Sequence, residues 1–228
     1  MKNLKLVLVF LLLLGFGNSH AQDWPDLKRF QEANSKLSTP DATTHRVVFM
    51  GNSITIGWIN TRPEFFESHS YVNRGISGQT TPQMLLRFRQ DVIDLKPSVV
   101  VILAGINDIA GNTGPSTLDM IMDNLISMAE LAKANHIKVV LCSVLPARDF
   151  PWRPGMEPAE KVVKLNKLLR AYADENDLVY VDYFSSMADD ANGMKEGLAY
   201  DGVHPTALGY SIMEPLVEKG IAEALEKH

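Results

Sequence analysis

The stretch Val99-Val100-Val101-Ile102-Leu103-Ala104-Gly105-Ile106-Asn107-Asp108 decides the fold. Its first five positions are apolar without alternation, as in a strand covered on both faces, and the run breaks at a glycine into polar residues. Four more short runs on either side read as strands, at 46–50, 70–73, 138–143 and 178–182. Segments with helical apolar spacing separate them. Residues 82–95 place Met84, Leu85, Phe88, Val92 and Leu95 on one face, with Thr81 as N-cap and Pro82 at the first helical position. Residues 116–135, with Ser116 as cap, and 158–176 repeat the pattern, and 207–226 form the closing helix. An opening helix over 27–37, with Leu27, Phe30, Ala33 and Leu37 apolar, is expected to cover one face of the sheet. Methionines in these stripes, such as Met122 and Met128, read as core packing rather than as a metal or ligand surface. Strands alternating with helices require right-handed crossovers, so the expected class is α/β, a three-layer α/β/α sandwich around a five-stranded, mainly parallel sheet. Ligands of such sheets bind beyond the carboxyl ends of the strands, which is where chemistry is to be sought.

A chain of 228 residues suits one sizeable core, and residues 22–228 are expected to form a single domain. A hydrophobic fraction of 46% and a charged fraction of 21% exclude disorder and a multi-span membrane protein. Residues 1–21 carry Lys2 and Lys5, an apolar run over 6–14, then Gly15, Gly17, Ser19 and Ala21, the pattern of a signal peptide cleaved after Ala21. The run is shorter than the roughly 20 residues of a membrane-spanning helix, although an uncleaved anchor is the alternative. No cysteine follows it to carry a lipid, so the mature chain is expected to be secreted or periplasmic, with no stable membrane span. The formal charge of −5 falls by two more when Lys2 and Lys5 leave, which argues against nucleic acid as a partner. The lone Cys142 excludes an internal disulfide, and no Cys/His spacing marks a structural zinc site. The oligomeric state is not legible in the sequence.

After the first strand comes Gly51-Asn52-Ser53-Ile54-Thr55, which sets a hydroxyl at a strand-to-helix turn. Ser53 is a candidate nucleophile there, but a helix-capping serine reads the same way. A serine needs a base, most often histidine held by a carboxylate. Of six histidines, His20 leaves with the leader, His228 is terminal, and His45, His69 and His136 have no local motif. His204 lies in Asp201-Gly202-Val203-His204-Pro205, with a carboxylate three residues upstream on a tight turn, although a satisfied structural histidine is the alternative. Acyl transfer also needs donors for an oxyanion. Gly75-Ile76-Ser77-Gly78-Gln79-Thr80-Thr81 offers a backbone N–H at Gly78, and Gly105-Ile106-Asn107-Asp108 offers the Asn107 amide.

These four blocks, in the order Ser, Gly, Asn, Asp-x-x-His, resemble the SGNH hydrolases, also called GDSL esterases, from about Val47 to Gly209. The resemblance implies the flavodoxin-like SGNH hydrolase fold, a triad of Ser53, Asp201 and His204, an oxyanion hole of Ser53 N–H, Gly78 N–H and the Asn107 amide, and no metal or cofactor. Within the family the chain looks most similar to the branch of platelet-activating-factor acetylhydrolase subunits, which implies short acyl groups. Two positions depart from the common motifs: Asn52 stands where the family has Asp, and Ile106 precedes Asn107. The turn at Asn52 is expected to survive, because Asn keeps the hydrogen-bonding shape and drops only the charge. The residue two after Ser53 is Thr55, which disfavours the Gly-x-Ser-x-Gly elbow of α/β-hydrolases.

The substrate is less legible. Residues 145–158, with Arg148, Phe150, Trp152 and Arg153 among prolines, are expected to overhang the site, with Trp152 and Arg153 binding substrate, and 58–66 to form the opposite rim. A packed surface loop is the alternative for the first. Aromatic faces with arginines suit a small-molecule or glycan ester with a short acyl group. A lysophospholipase or thioesterase of longer acyl preference and a catalytically silent carbohydrate-binding module of the same fold are the rival readings.

Overall fold

The computed structural model of the protein describes residues 23–40 and 45–227; the expected signal peptide lies outside them. Among the described residues five strands, β1 (Val47–Gly51), β2 (Tyr71–Gly75), β3 (Val99–Leu103), β4 (Lys138–Cys142) and β5 (Val179–Val181), pair in the order β2-β1-β3-β4-β5, all parallel. Gly51 pairs with Gly75 on one side and Leu103 on the other, so β1, β2 and β3 end level. The strand order reverses between β1 and β3, and a crevice opens at such a switch point beyond the carboxyl ends.

The helices are α1 (Gln31–Ser35), α2 (Ser53–Thr61), α3 (Pro63–Glu67), α4 (Thr81–Asp91), α5 (Ile106–Ile109), α6 (Leu118–Ala134), α7 (Ala159–Glu175), α8 (Tyr183–Met187) and α9 (Ala207–Glu226). Right-handed crossovers in this strand order put α4, α6 and α7 on one face of the sheet, and α2 and α9 on the other. The second layer is welded by aromatic rings: Trp58 of α2 stacks on Tyr210 of α9 at 5.4 Å and meets Tyr183 of α8 edge-on at 6.4 Å. Tyr210 also donates from its hydroxyl to the Ile54 carbonyl at 2.8 Å, and Glu214 accepts from Trp58 Nε1 and from Arg62. These contacts fix where α2 starts relative to α9.

The expected strands and long helices are present, with shifts at their ends. The cap of α4 is Thr80 rather than Thr81, because Gln83, three positions on, accepts from the Thr80 N–H at 3.1 Å; the helix stops at Asp91, and a 3₁₀ turn, Ile93–Leu95, follows. Thr117 rather than Ser116 caps α6, its side chain accepting from Met120 N. The opening helix is a larger departure. It spans five residues, buries none of them and covers no sheet face, since α4, α6 and α7 already occupy that layer. Polar contacts hold the segment instead: Gln79, Gln83 and Gln90 donate to the carbonyls of Pro25, Trp24 and Leu27 at 2.8, 2.7 and 2.5 Å. Phe30, expected as an apolar contact, lies under the Arg74 guanidinium at 4.7 Å.

A buried charge sits where these layers meet. Arg87 on α4 is fully buried and pairs with Asp91 one turn on at 3.1 Å. Its Nη2 donates to the Gly51 and Arg74 carbonyls at 3.1 and 2.9 Å, and its Nε to Gln79 Oε1 at 2.6 Å. Burial pulls the guanidinium down from its usual range, and Asp91 opposes that. Removing one member of such a pair strands the other and costs about 3–5 kcal/mol. Arg87→Met is therefore expected to lower unfolding free energy by about that amount in urea denaturation; a loss below about 1 kcal/mol, the range of exposed pairs, would show that the pair does not hold the strand ends.

Candidate active site

The crevice is reached by the segments that follow β1, β2, β3 and β4 and by the turn that leads into α9. Asn52 follows β1 and caps α2, its Oδ1 accepting from Ile54 N at 3.3 Å, so Ser53 is the first helical residue rather than the cap. The turn survives with asparagine, but Asn52 Nδ2 is buried with no acceptor among the described residues, a donor that aspartate would not have. Gly51 has to be glycine for this approach: a Cβ there would lie 1.9 Å from Thr55 Oγ1.

Ser53 Oγ lies 2.9 Å from His204 Nε2, and His204 Nδ1 lies 2.7 Å from Asp201 Oδ2. A carboxylate only accepts, so Nδ1 carries the proton and Nε2 is free to accept from the hydroxyl. Asp201 Oδ1 accepts from the N–H groups of Val203 and His204 at 3.0 and 2.8 Å. Partial burial works against its charge, yet these donors and the imidazole hold its carboxyl below the usual range. The turn passes through Gly202 at φ +84°, and the Thr206 side chain then caps α9.

Gly78 takes φ +77° in an exposed turn, and Asn107, 2% exposed, is the second residue of α5. Asn107 Nδ2 donates one hydrogen to the Gln79 carbonyl at 2.9 Å and keeps a second. The N–H groups of Ser53 and Gly78 have no acceptor among the described residues. The next residue after Asn107, Asp108, serves the fold: it accepts from Thr81 N and Oγ1, and burial pushes its carboxyl up to about 6.

Ser53, Gly78, Asn107 and His204 line one cavity of about 470 Å³, with Trp152 on its rim. A cavity of about 460 Å³ at the amino ends of β4 and β5, lined by Lys133, Lys138 and Lys227, holds no such hydroxyl–imidazole pair. Trp152 approaches His204 at 5.7 Å between ring centres and donates weakly to Asn112 Oδ1 at 3.4 Å. Arg153 does not line the cavity, contrary to its expected place beside substrate. Its Nη1 donates to the Ala110 and Gly111 carbonyls at 2.6 and 2.9 Å and so pins the neighbouring loop. Arg148 is paired with Asp189, and Phe150 is buried. The stretch 58–66 is not a rim either: Trp58, Phe65 and Phe66 are buried around Phe49, and only Asn60 with the preceding Ile56 and Gly57 reaches the cavity.

Sequence reasoning missed Tyr200 and Asn112. Tyr200 is 73% exposed and stacks on His204 at 5.6 Å and 14°. Its place just before Asp201 was the available signal. Asn112 spans the site, donating to the Gly78 carbonyl at 3.2 Å, and nothing in its local sequence marks it.

Residues 49–212 match the GDSL-like lipase/acylhydrolase family. A crystallised protein of Bacteroides fragilis is 50% identical, with a TM-score of 0.88 over 90% of this chain and 100% of that one. Esterase TesA of Pseudomonas aeruginosa is 28% identical over 74% of this chain and 84% of its own length, and an acetylxylan esterase of Geobacillus stearothermophilus 28% over 62% and 67%. The match to a Bacillus subtilis lipoprotein spans 56% of that longer protein. With its parallel sheet, its strand-end loops and a family match over most of its length, the chain belongs to the GDSL-like lipase/acylhydrolase family of ester hydrolases.

Proposed function

We propose that the chain is an exported serine esterase that removes short acyl groups, acetyl first among them, from carbohydrate. The observation that carries the reading is the continuous Ser53–His204–Asp201 hydrogen-bond chain, 2.9 and 2.7 Å, opening on a cavity with unpaired donors. In this mechanism His204 Nε2 takes the Ser53 proton as Oγ adds to the ester carbonyl. The oxyanion is met by the N–H groups of Ser53 and Gly78 and by the free hydrogen of the Asn107 amide. Collapse expels the alcohol, which receives the proton from His204. Water, deprotonated by the same nitrogen, then cleaves the acyl-enzyme and regenerates Ser53.

The rim supports a compact acyl group on a polar alcohol. A long acyl chain needs a continuous apolar lining, whereas this cavity presents Asn60, Ser77, Asn107 and Asn112 between the aromatic faces of Trp152 and Tyr200. The acetylxylan esterase among the relatives agrees with that substrate class. Export rests on the leader-like residues 1–21, from which a periplasmic or extracellular location follows.

With p-nitrophenyl esters of increasing chain length, the mature protein is expected to be fastest on acetyl to butyryl; a maximum at eight carbons or beyond would sink the short-acyl reading. Ser53→Ala is expected to lose at least about 10⁴-fold in kcat on the acetyl ester, and equal rates in the two proteins would remove Ser53 from the reaction. Asp201→Asn keeps an acceptor for the backbone N–H groups but turns an amide N–H toward Nδ1, which selects the wrong imidazole tautomer. A loss of about 10³- to 10⁴-fold in kcat is expected, against which near-normal turnover would count decisively. Trp152→Ala is expected to raise KM for acetylated xylo-oligosaccharides more than for p-nitrophenyl acetate; equal changes on both would argue that Trp152 does not face the sugar.

A further inference from the structure

Asn107 can serve an oxyanion only while its amide keeps nitrogen, not oxygen, toward the cavity. One hydrogen of Nδ2 is donated to the Gln79 carbonyl at 2.9 Å, and a flipped amide would set two oxygens against each other there. The position of that carbonyl therefore selects the productive amide orientation. Gln79 also follows Gly78 directly, so it bears on two of the three oxyanion donors.

The turn that carries Gly78 has little else to hold it. Ser77 and Gly78 are exposed, the Gln79 N–H reaches Ile76 O only at 3.4 Å, and Asn112 meets the Gly78 carbonyl at 3.2 Å. Gln79 itself is 3% exposed, and its side chain uses both ends: Oε1 accepts from Arg87 Nε at 2.6 Å, and Nε2 donates to Pro25 O at 2.8 Å. The same guanidinium holds the carbonyls of Gly51, two residues before Ser53, and of Arg74. One buried group thus refers the nucleophile's strand and the oxyanion loop to a common origin.

We propose that Gln79, held by Arg87, is a positioning residue of the oxyanion hole, acting through the Asn107 amide and the Gly78 turn without touching substrate. The inference rests on the reading of Asn107 as an oxyanion donor. A misplacement of about 1 Å at such a donor costs about 100-fold in rate, and loss of the donor outright about 100- to 1000-fold.

The test is a double-mutant cycle on p-nitrophenyl acetate with the mature protein. Gln79→Met keeps the bulk and loses both polar ends. It is expected to lower kcat about 10- to 100-fold with KM within about twofold, and to add less than about threefold in the Asn107→Ala background. The acid limb of the pH–rate profile should not move, because Gln79 bonds to none of Ser53, His204 and Asp201. Gln79→Glu, whose carboxylate still accepts from Arg87 but sets its other oxygen against the Pro25 carbonyl, should recover part of kcat. Should Gln79→Met fail to fold, Arg87→Lys retains the charge facing Asp91 while losing the fork that reaches Gln79, and the same non-additive kcat loss is expected of it. Unchanged kcat in Gln79→Met, or losses that multiply fully with Asn107→Ala, would overturn the positioning role while leaving the esterase reading intact. Unchanged kcat in Asn107→Ala itself would instead overturn the oxyanion assignment, and this inference with it.

Discussion

The Arg87 guanidinium sits in the sheet–helix interface with no exposed surface, and its hydrogen-bond partners come from β1, β2, α4 and the loop after β2. A charge there has given up hydration worth several kcal/mol, which only full satisfaction by Asp91 and the surrounding oxygens can offset. Asp91 in turn accepts from Asn34, and Asn34 also accepts from Arg74, so the segment before β1 joins the same network. Each partner is placed by the need to leave none of these buried groups unpaired. The carboxyl ends of β1 and β2 are therefore held by directional bonds, which resist displacement more sharply than apolar contact does.

The opposite layer performs the matching task for the His204 imidazole. His204 lies on the turn leading into α9, and α9 grips α2 through the Trp58–Tyr210 stack and the Tyr210 bond to Ile54 O. Ser53 begins α2, so the 2.9 Å approach of Ser53 to His204 follows from how two helices pack on one sheet face. The Asp201 turn adds local rigidity, because its carboxylate binds two backbone N–H groups as well as the imidazole. Hydroxyl, imidazole and carboxylate are thus held in line by the fold itself, the pre-oriented arrangement that the proposed acyl transfer requires.

Much of this was legible residue by residue. The apolar run 99–103 became the central strand over those same residues, the periodic segments became α4, α6 and α7 with ends displaced by a few positions, and α9 spans the expected 207–226. Short helices such as α3, α5 and α8 have too few residues for a period to register. The aromatic stretch 58–66 was misread because large rings suit a ligand rim and a core equally, and only packing against Phe49 decides between them. Arg153 lies off the cavity for a related reason: an arginine in a loop near a site looks ready for substrate, but here backbone carbonyls hold its guanidinium.

The sequence by itself determined the alternation of strands and helices and the chemical character of each strand-end turn, since periodicity and turn preference are short-range properties of a few neighbouring residues. It also supplied the ordered blocks around Ser53, Gly78, Asn107, Asp201 and His204, each of them local. Only the tertiary structure decided that Ser53 and His204, 151 positions apart, meet at one crevice. It alone decided that Tyr200 and Asn112 border that crevice and that Arg87, one more polar residue on a helix when read along the chain, lies at its foundation. The physical reason is that burial and hydrogen-bond satisfaction belong to positions in space, and strand order brings together groups that no local pattern relates.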